Sequence, residues 1–232
     1  MTDKKTLVIL SGAGVSAESG LGTFRDSDGL WEKYAIEDVA TPEAWKKNPA
    51  LVTSFYNMRR KQAYEAQPNL AHQTIAELEV FFNVVVITQN IDTLHEKAGS
   101  TNVLHLHGRI DQVKSSSPNA EKAYYDQPNW EVKLTDLCPE GYPLRPHVVW
   151  FGEAVPMLEE AARIVEKADV FVVIGTSLNV YPAAGLVNLV KPNTLCFIVD
   201  PLDVPVGSNF KAIRAVASEG CLLLKKELLD LK

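Results

Sequence analysis

Cysteine is scarce in this chain. Cys138, Cys196 and Cys221 are odd in number and far apart, which excludes a disulfide framework and fits a reducing cytoplasm. No apolar run approaches the ~20 residues that cross a bilayer. The run after Lys5 reaches glycine within a handful of residues, so it reads as a first strand and not as a signal peptide, and no membrane partner is expected. Positive charge is also short: 23 Lys and Arg against 29 Asp and Glu give a net charge of −6. With no local basic cluster, the electrostatic footprint of a nucleic-acid binder is missing. There is no internal repeat and no low-complexity segment. What remains is 232 residues, 46% hydrophobic and 22% charged, enough for one main domain with a substantial core and a smaller inserted lobe. A monomer is expected.

Glycine totals only 13, yet Gly12, Gly14 and Gly20 fall together. The apolar run Leu7-Val8-Ile9-Leu10 passes through Ser11 into Gly12-Ala13-Gly14-Val15-Ser16-Ala17-Glu18-Ser19-Gly20. Gly12 to Ala17 fits the dinucleotide fingerprint G-x-G-x-x-G/A, with a strand before it and a helix after it. A helix starting there would offer its first N–H groups and the positive end of its dipole to a phosphate. The same glycines also fit a plain turn. An ordinary dehydrogenase carries an acidic residue at the end of a second strand about twenty positions on. Here Thr23 to Trp31 is polar and loop-like, so a ribose partner must come from elsewhere.

Between Trp31 and Phe81 the spacing is helical. Thr41 caps a helix with Pro42 at its first position. Leu51, Val52, Phe55, Tyr56, Met58 and Arg59 recur at helical intervals from Pro49 until Pro68, and Asn69 caps a third helix through Leu70, Ile75 and Leu78. Tyr56 and Arg59 share one helix face, which by spacing alone reads as a core tyrosine beside a solvated arginine. Strands are predicted at residues 81–89, 102–106, 145–153, 170–174, 195–200 and 212–217, and helices at 156–167 and 219–231. The near-continuous apolar strands call for cover on both faces. The predicted fold is therefore α/β: a Rossmann-like parallel sheet with helices on both faces. Residues 109–145 read as irregular and polar. Asn90 and Asp92 could be turn formers, His105 and His107 structural histidines, 149–153 a buried edge strand and 175–177 a simple turn.

In order and spacing, Gly12 to Gly20 with Thr23-Phe24-Arg25, then Gln89-Asn90-Ile91-Asp92, His107-Gly108, Val149-Trp150-Phe151-Gly152-Glu153 and Gly175-Thr176-Ser177 resemble the sirtuin family of NAD-dependent protein lysine deacylases. The resemblance implies a core of residues 1–30, 80–108 and 146–232, and a small lobe of residues 31–79 and 109–145 that is part helical and part degenerate zinc module. It implies that NAD lies against Gly12, Ala13, Gly14, Ser16, Ala17, Glu18, Thr23, Phe24, Arg25 and Trp31. Gln89 would reach a ribose; Asn90, Ile91 and Asp92 would hold the nicotinamide end. Gly175, Thr176 and Ser177 would meet sugar and phosphate, with Val199, Asp200 and Cys221 toward the adenosine end. Asp200 stands where the family usually has asparagine and supplies the missing ribose partner.

Asn90 and His107 are the implied catalytic residues, His107 as general base for a ribose hydroxyl once nicotinamide has left, the products being free lysine and acyl-ADP-ribose. Of the two histidines, His107 holds the His-Gly position beyond the strand end. An acyl-lysine protein or peptide would pair with Val149, Trp150, Phe151, Gly152 and Glu153. Tyr56 and Arg59 match a Tyr-x-x-Arg pair of family members that prefer acidic acyl groups such as succinyl and malonyl, and Ala35 leaves room for the longer chain. Two cysteine pairs that hold a structural zinc in most of the family are missing: Ser115 replaces the first, and Cys138 is one survivor. Four N or S ligands cannot be assembled, so no zinc is expected. An NAD glycohydrolase, a mono-ADP-ribosyltransferase and a non-catalytic NAD or ADP-ribose sensor are the alternatives.

Overall fold

A computed structural model describes residues 4–22, 34–120 and 124–230; Thr23, Phe24, Arg25 and Trp31 lie outside the described residues. In chain order the strands are β1 (Thr6–Ser11), β2 (Asn83–Thr88), β3 (Val103–His105), β4 (Gly108–Ser115), β5 (Tyr125–Asp126), β6 (Leu144–Val148), β7 (Val170–Ile174), β8 (Leu195–Val199) and β9 (Phe210–Ile213). The helices are α1 (Gly14–Ala17), α2 (Ile36–Val39), α3 (Pro42–Lys47), α4 (Pro49–Glu65), α5 (Leu70–Glu77), α6 (Leu94–Lys97), α7 (Leu158–Val165) and α8 (Ala217–Asp230), with 3-10 turns at Leu78–Val80 and Ala183–Leu189. Among the described residues no helix is long and apolar enough to cross a membrane.

The large sheet is parallel throughout, in the order β3-β2-β1-β7-β8-β9. β1 is central, with Val8 opposite Val85 on one side and Phe171 on the other. Alternation along it feeds two layers. Leu7 and Ile9 pack with Ala71, Ile75 and Leu78 on one face and with Cys221, Leu224 and Leu228 of α8, while Val8 and Leu10 meet Ala161 and Val165 of α7 and Leu186. Both faces are covered, which is why the strands read as unbroken apolar runs. The chain leaves β1 toward β2 and β3, then returns to β7 on the opposite side. This reversal opens a crevice at the carboxyl ends of the strands, where open α/β sheets take ligands.

Outside the two layers that cover the large sheet lies a third region, in which Val39, Val52, Phe55, Tyr56, Ile110, Val148 and Trp150 cluster. It contains the antiparallel sheet β5-β4-β6, where the sequence pattern suggested only irregular chain. β4 escapes recognition because its buried face mixes Ile110 and Val113 with Gln112. The Gln112 amide is satisfied by Asp126 and His147, at 3.1 and 2.9 Å. The strand expected at 145–153 stops at Val148 and belongs to this second sheet; Gly152, at φ +90, turns the chain instead. The strand expected at 212–217 is shorter and earlier, because Ala217 already opens α8.

Two cations tie α4 to distant parts of the chain. Arg60 is fully buried on α4, donating Nε to the Ile110 carbonyl at 2.6 Å and Nη1 to Asn57 and the Trp130 carbonyl at 2.8 and 3.1 Å. Lys97 of α6 caps the end of α4, its Nζ donating to the carbonyls of Ala63, Tyr64 and Ala66 at 2.9, 3.2 and 3.2 Å. Thr41, Asn48 and Asn69 cap α3, α4 and α5 through their side-chain oxygens.

Beneath the crevice, the buried rings of His72 and His95 meet edge to face at 4.9 Å. Burial pushes His72 down to about 4, against a small raising effect of Glu18, and holds His95 well below 6.5, helped by His72 and His105. Both are therefore neutral in the fold, and the unfolded chain takes up their protons first as pH falls. Their contribution is complete above about pH 6.5 and is lost toward pH 4, on the order of 3 kcal/mol for His72. Urea unfolding across pH 7.5 to 4.5 should show this fall in stability, and His72→Gln should flatten it.

Candidate active site

The glycine turn is built on contact between two backbones. A side-chain carbon on Gly12 would lie 2.6 Å from Thr176 Cβ, and one on Gly14 would lie 2.8 Å from Gly175 Cα. With hydrogen in both places, Gly14 N–H donates to the Gly175 carbonyl at 2.8 Å and Gly12 N–H to Ile174 at 3.0 Å. The ends of β1 and β7 are thereby joined. This changes one expectation. α1 is a single turn, and the N–H groups of Val15 and Ser16 donate to Gly12 and Ala13 at 3.1 Å each. Four of the N–H groups around this turn are thus already occupied. Anion binding here must depend less on a helix terminus and more on the remaining groups of the joined loops.

Against this joint lies a cavity of about 570 Å³, inside the range that encloses small-molecule ligands. Its wall brings together Ala13, Gly14, Ser16, Ala17, Glu18, Gln89, Asn90, Ile91, Asp92, His107, Gly175, Thr176, Ser177 and Asp200, joined by Tyr56, Arg59 and Val149 to Glu153. Gly12, Ala35, Val199 and Cys221 are not part of that wall. Gly12 serves the loop joint. Ala35 is exposed at the start of α2. Val199 and Cys221 lie in the core, where burial pushes the Cys221 thiol up to about 12 and leaves it inert. Glu18 is also committed elsewhere: its carboxylate accepts the N–H and hydroxyl of Ser218 at 2.9 and 2.6 Å, at the head of α8.

At the end of β2, Asn90 Nδ2 donates to Ser16 Oγ at 3.0 Å and Ser16 Oγ donates to Asp92 Oδ2 at 3.1 Å. Serine has one hydrogen to give, so this chain has one direction and turns the Asn90 carbonyl toward other partners. Burial raises the Asp92 carboxyl against the lowering effects of the Leu94 N–H and the Ser16 hydroxyl. Gln89 Nε2 donates to Thr176 Oγ1 at 3.1 Å, bridging the same two strand ends. Asp200, 3% exposed, accepts the Leu202 N–H at 2.9 Å.

His105 and His107, of which the sequence favoured the second, differ in their surroundings. His105 places Nδ1 3.0 Å from the Asn90 carbonyl and Nε2 2.8 Å from Glu96; both nitrogens are engaged below the cavity. His107 lies on the wall, with Nδ1 3.0 Å from the Gln89 carbonyl. A carbonyl only accepts, so Nδ1 carries the hydrogen and Nε2 keeps its lone pair. Burial lowers this imidazole below 6.5, opposed by the Gln89 bond.

On the lobe side, Tyr56 is 2% exposed and accepts from Trp150 Nε1 at 3.1 Å. Burial pushes its phenol up to about 12, opposed by the neighbouring Arg59 charge. Burial also lowers Arg59, while Tyr56 and Asp92 raise it. Residues 149–153 form a turn whose N–H groups at Val149 and Phe151 reach His107 and Ala40, at 2.9 and 3.0 Å. Sequence reasoning passed over Arg145, which grips Glu153 with both terminal nitrogens at 2.8 and 3.0 Å. The available signal was a charged residue in a strand that is otherwise buried.

Fold and cavity define a Rossmann-like α/β protein with a ligand-sized cavity across the β1/β7 crevice. Within that class the chain belongs to the Sir2 family, whose profile matches residues 12–182. It is 52% identical over 230 residues to an NAD-dependent protein deacylase of Bacteroides thetaiotaomicron, covering 97% of this chain and 98% of that one. An NAD-dependent protein deacylase of Helicobacter pylori is 52% identical over 200 residues, 85% of each chain. Among solved structures, a Sir2 homolog–NAD complex matches with a TM-score of 0.88 at 41% identity, over 98% of this chain and 91% of that one. A mutant Sir2 homologue in complex with ADP-ribose gives 0.87 at 42%, over 99% and 95%.

Proposed function

We propose that this chain is an NAD-dependent protein lysine deacylase that favours acidic acyl groups. The observation that carries the reading is the setting of His107: its Nδ1 is bound to a carbonyl, burial favours its neutral form, and it stands on the wall of the cavity. The donor set of that wall fits NAD. A carboxamide needs a paired donor and acceptor, and two ribose diols need acceptors; Asn90, Asp92, Gln89, Thr176, Ser177 and Asp200 supply these types at the ends of β2, β7 and β8. Bound there, NAD would supply an anomeric carbon at which the acyl oxygen of the substrate displaces nicotinamide, which leaves as a neutral molecule.

The chain's own part is positioning and proton transfer. Asn90, fixed through Ser16 to Asp92, orients the nicotinamide end. His107 Nε2 takes a proton from a ribose hydroxyl, a step that a positioned general base typically speeds by about two to four orders of magnitude. A substrate peptide adds along residues 149–153 through backbone groups that His107, Ala40 and the Trp150–Glu153 turn do not already use, which gives affinity with little sequence demand. Arg59 offers two parallel hydrogen bonds to a terminal carboxylate, and Tyr56 offers a third.

His107→Ala should keep a folded protein that still binds NAD while deacylation falls at least a hundredfold. In the unaltered enzyme the acid limb of kcat/KM assigned to His107 should lie below pH 6.5, since activity needs the neutral ring. Mass spectrometry of the products separates acyl-ADP-ribose from the free ADP-ribose of a glycohydrolase. Arg59→Met should depress desuccinylation at least tenfold more than deacetylation, read as the ratio of the two kcat/KM values; equal losses would remove the acyl preference.

The same reading includes a lobe that holds together without zinc. Ser115 Oγ donates to Cys138 Sγ at 3.2 Å, and the Tyr142 N–H approaches the same sulfur at 3.4 Å. Among the described residues no group of three or more His, Cys, Asp or Glu could hold a metal. Dialysis against a strong chelator should leave the melting temperature unchanged, whereas Cys138→Ala should lower stability by about 1 kcal/mol.

A further inference from the structure

Trp150 stands on the cavity wall, yet its one polar side-chain atom is used by another side chain. The residue is 2% exposed and fixed from several sides. Its backbone N–H donates to Glu153 Oε2 at 2.8 Å. The same carboxylate receives the Arg145 fork, and the Arg145 guanidinium carbon lies 3.3 Å from the centre of the indole ring. Arg145 Nη2 also donates to the Val148 carbonyl at 3.0 Å, so the cation cannot swing away without breaking a buried bond. Trp45 lies at 6.1 Å and Tyr56 at 6.4 Å between ring centres. Held in this way, the indole N–H points at Tyr56 Oη, 3.1 Å away.

A tyrosine hydroxyl has one hydrogen, and an indole N–H can only donate. Where Trp150 approaches, the hydroxyl must accept, and it cannot send its own hydrogen in that direction. That hydrogen is left for a partner elsewhere, and the wall that Tyr56 shares with Arg59 opens on the cavity. We propose that Trp150, locked by Arg145 and Glu153, is a positioning residue that determines acyl specificity: it commits the Tyr56 hydroxyl to donate into the cavity beside Arg59, toward an acyl group that ends in an anion. This rests on the reading that the acyl chain ends at Tyr56 and Arg59, and it adds the residue that sets the direction of one of the two donors. Burial supports it, because a phenol pushed up to about 12 keeps its hydrogen at neutral pH. A neutral acetyl group, which has no terminal acceptor there, gains nothing from the arrangement.

The test is a double-mutant cycle on the ratio of kcat/KM for succinyl-lysine over acetyl-lysine peptides. Trp150→Phe keeps a ring against Arg145 and Trp45 but removes the N–H, and the ratio should fall by about five- to tenfold, part of what a hydrogen bond to a charged group contributes. Tyr56→Phe should lower the ratio at least as far, and Trp150→Phe should change it no further in that background, since the indole acts only through the hydroxyl. An unchanged ratio in Trp150→Phe, or an equal further drop in the Tyr56→Phe background, overturns the inference. Melting curves accompany each variant. If Trp150→Phe does not fold, Arg145→Lys, which keeps the charge but loses the stacked fork, takes its place in the cycle with the same expected non-additivity. Arg59→Met is measured alongside. No change of ratio in that variant removes the underlying acyl-site reading, whereas a collapse there with an inert Trp150→Phe removes only the role of Trp150.

Discussion

The backbone of residues 12–14 lies directly against the backbone of Gly175, and the geometry of the site follows from that contact. A side-chain carbon on Gly12, Gly14 or Gly175 would fall within 2.5 to 2.8 Å of an atom of the opposite loop. Because the carbon is missing from all three, the carboxyl ends of β1 and β7 are joined at the point where the strand order reverses. The other strand-end loops of the large sheet are then placed by strand register: β2 delivers Gln89 to Asp92, β3 delivers His107, and β8 delivers Asp200. Gln89 and Thr176 close the crevice with a side-chain bond across the same joint.

Backbone carbonyls do much of the electrostatic work. Those of Gln89 and Asn90 project at successive positions, and each takes a histidine nitrogen, His107 for the first and His105 for the second. An acceptor that cannot donate fixes which ring nitrogen holds the hydrogen, and so fixes what the other nitrogen can do. For His105 the other nitrogen meets Glu96, and the ring serves as a brace. For His107 it remains at a residue of the cavity wall, in surroundings dry enough to keep the ring neutral. Two residues of the same type, two positions apart, thereby acquire different chemistry from their second partner alone.

Cations work beside apolar contacts in holding the segments around the smaller sheet in place. Arg60 satisfies the Ile110 carbonyl within β4 and Lys97 the carbonyls at the end of α4, and Arg145 satisfies both Glu153 and Val148 while its face covers Trp150. Such contacts are directional and leave a charge uncompensated if they shift. They therefore suit segments that must hold Tyr56, Arg59 and Trp150 in register on the cavity wall.

The sequence alone carried the sheet, its burial on both faces and the loops that would meet, because continuous apolar runs, cap residues and glycine spacing are local consequences of backbone physics. Thr41-Pro42 and Asn69 announced their helices for that reason. β4 was illegible, since a strand whose inner face includes Gln112 has no apolar alternation to read. The strand drawn through residue 153 was too long, because the turn at Gly152 depends on Glu153 reaching back to Trp150. Val199 and Cys221 were expected at the ligand and lie in the core, where Gly220 lets α8 settle onto Val199. What only the tertiary structure decided is direction: which nitrogen of His107 faces the cavity, which way the Ser16 and Tyr56 hydroxyls point, and which carboxylates are already engaged. Residue types list the donors and acceptors, but each hydrogen is assigned by a partner that folding brings in from a distant part of the chain.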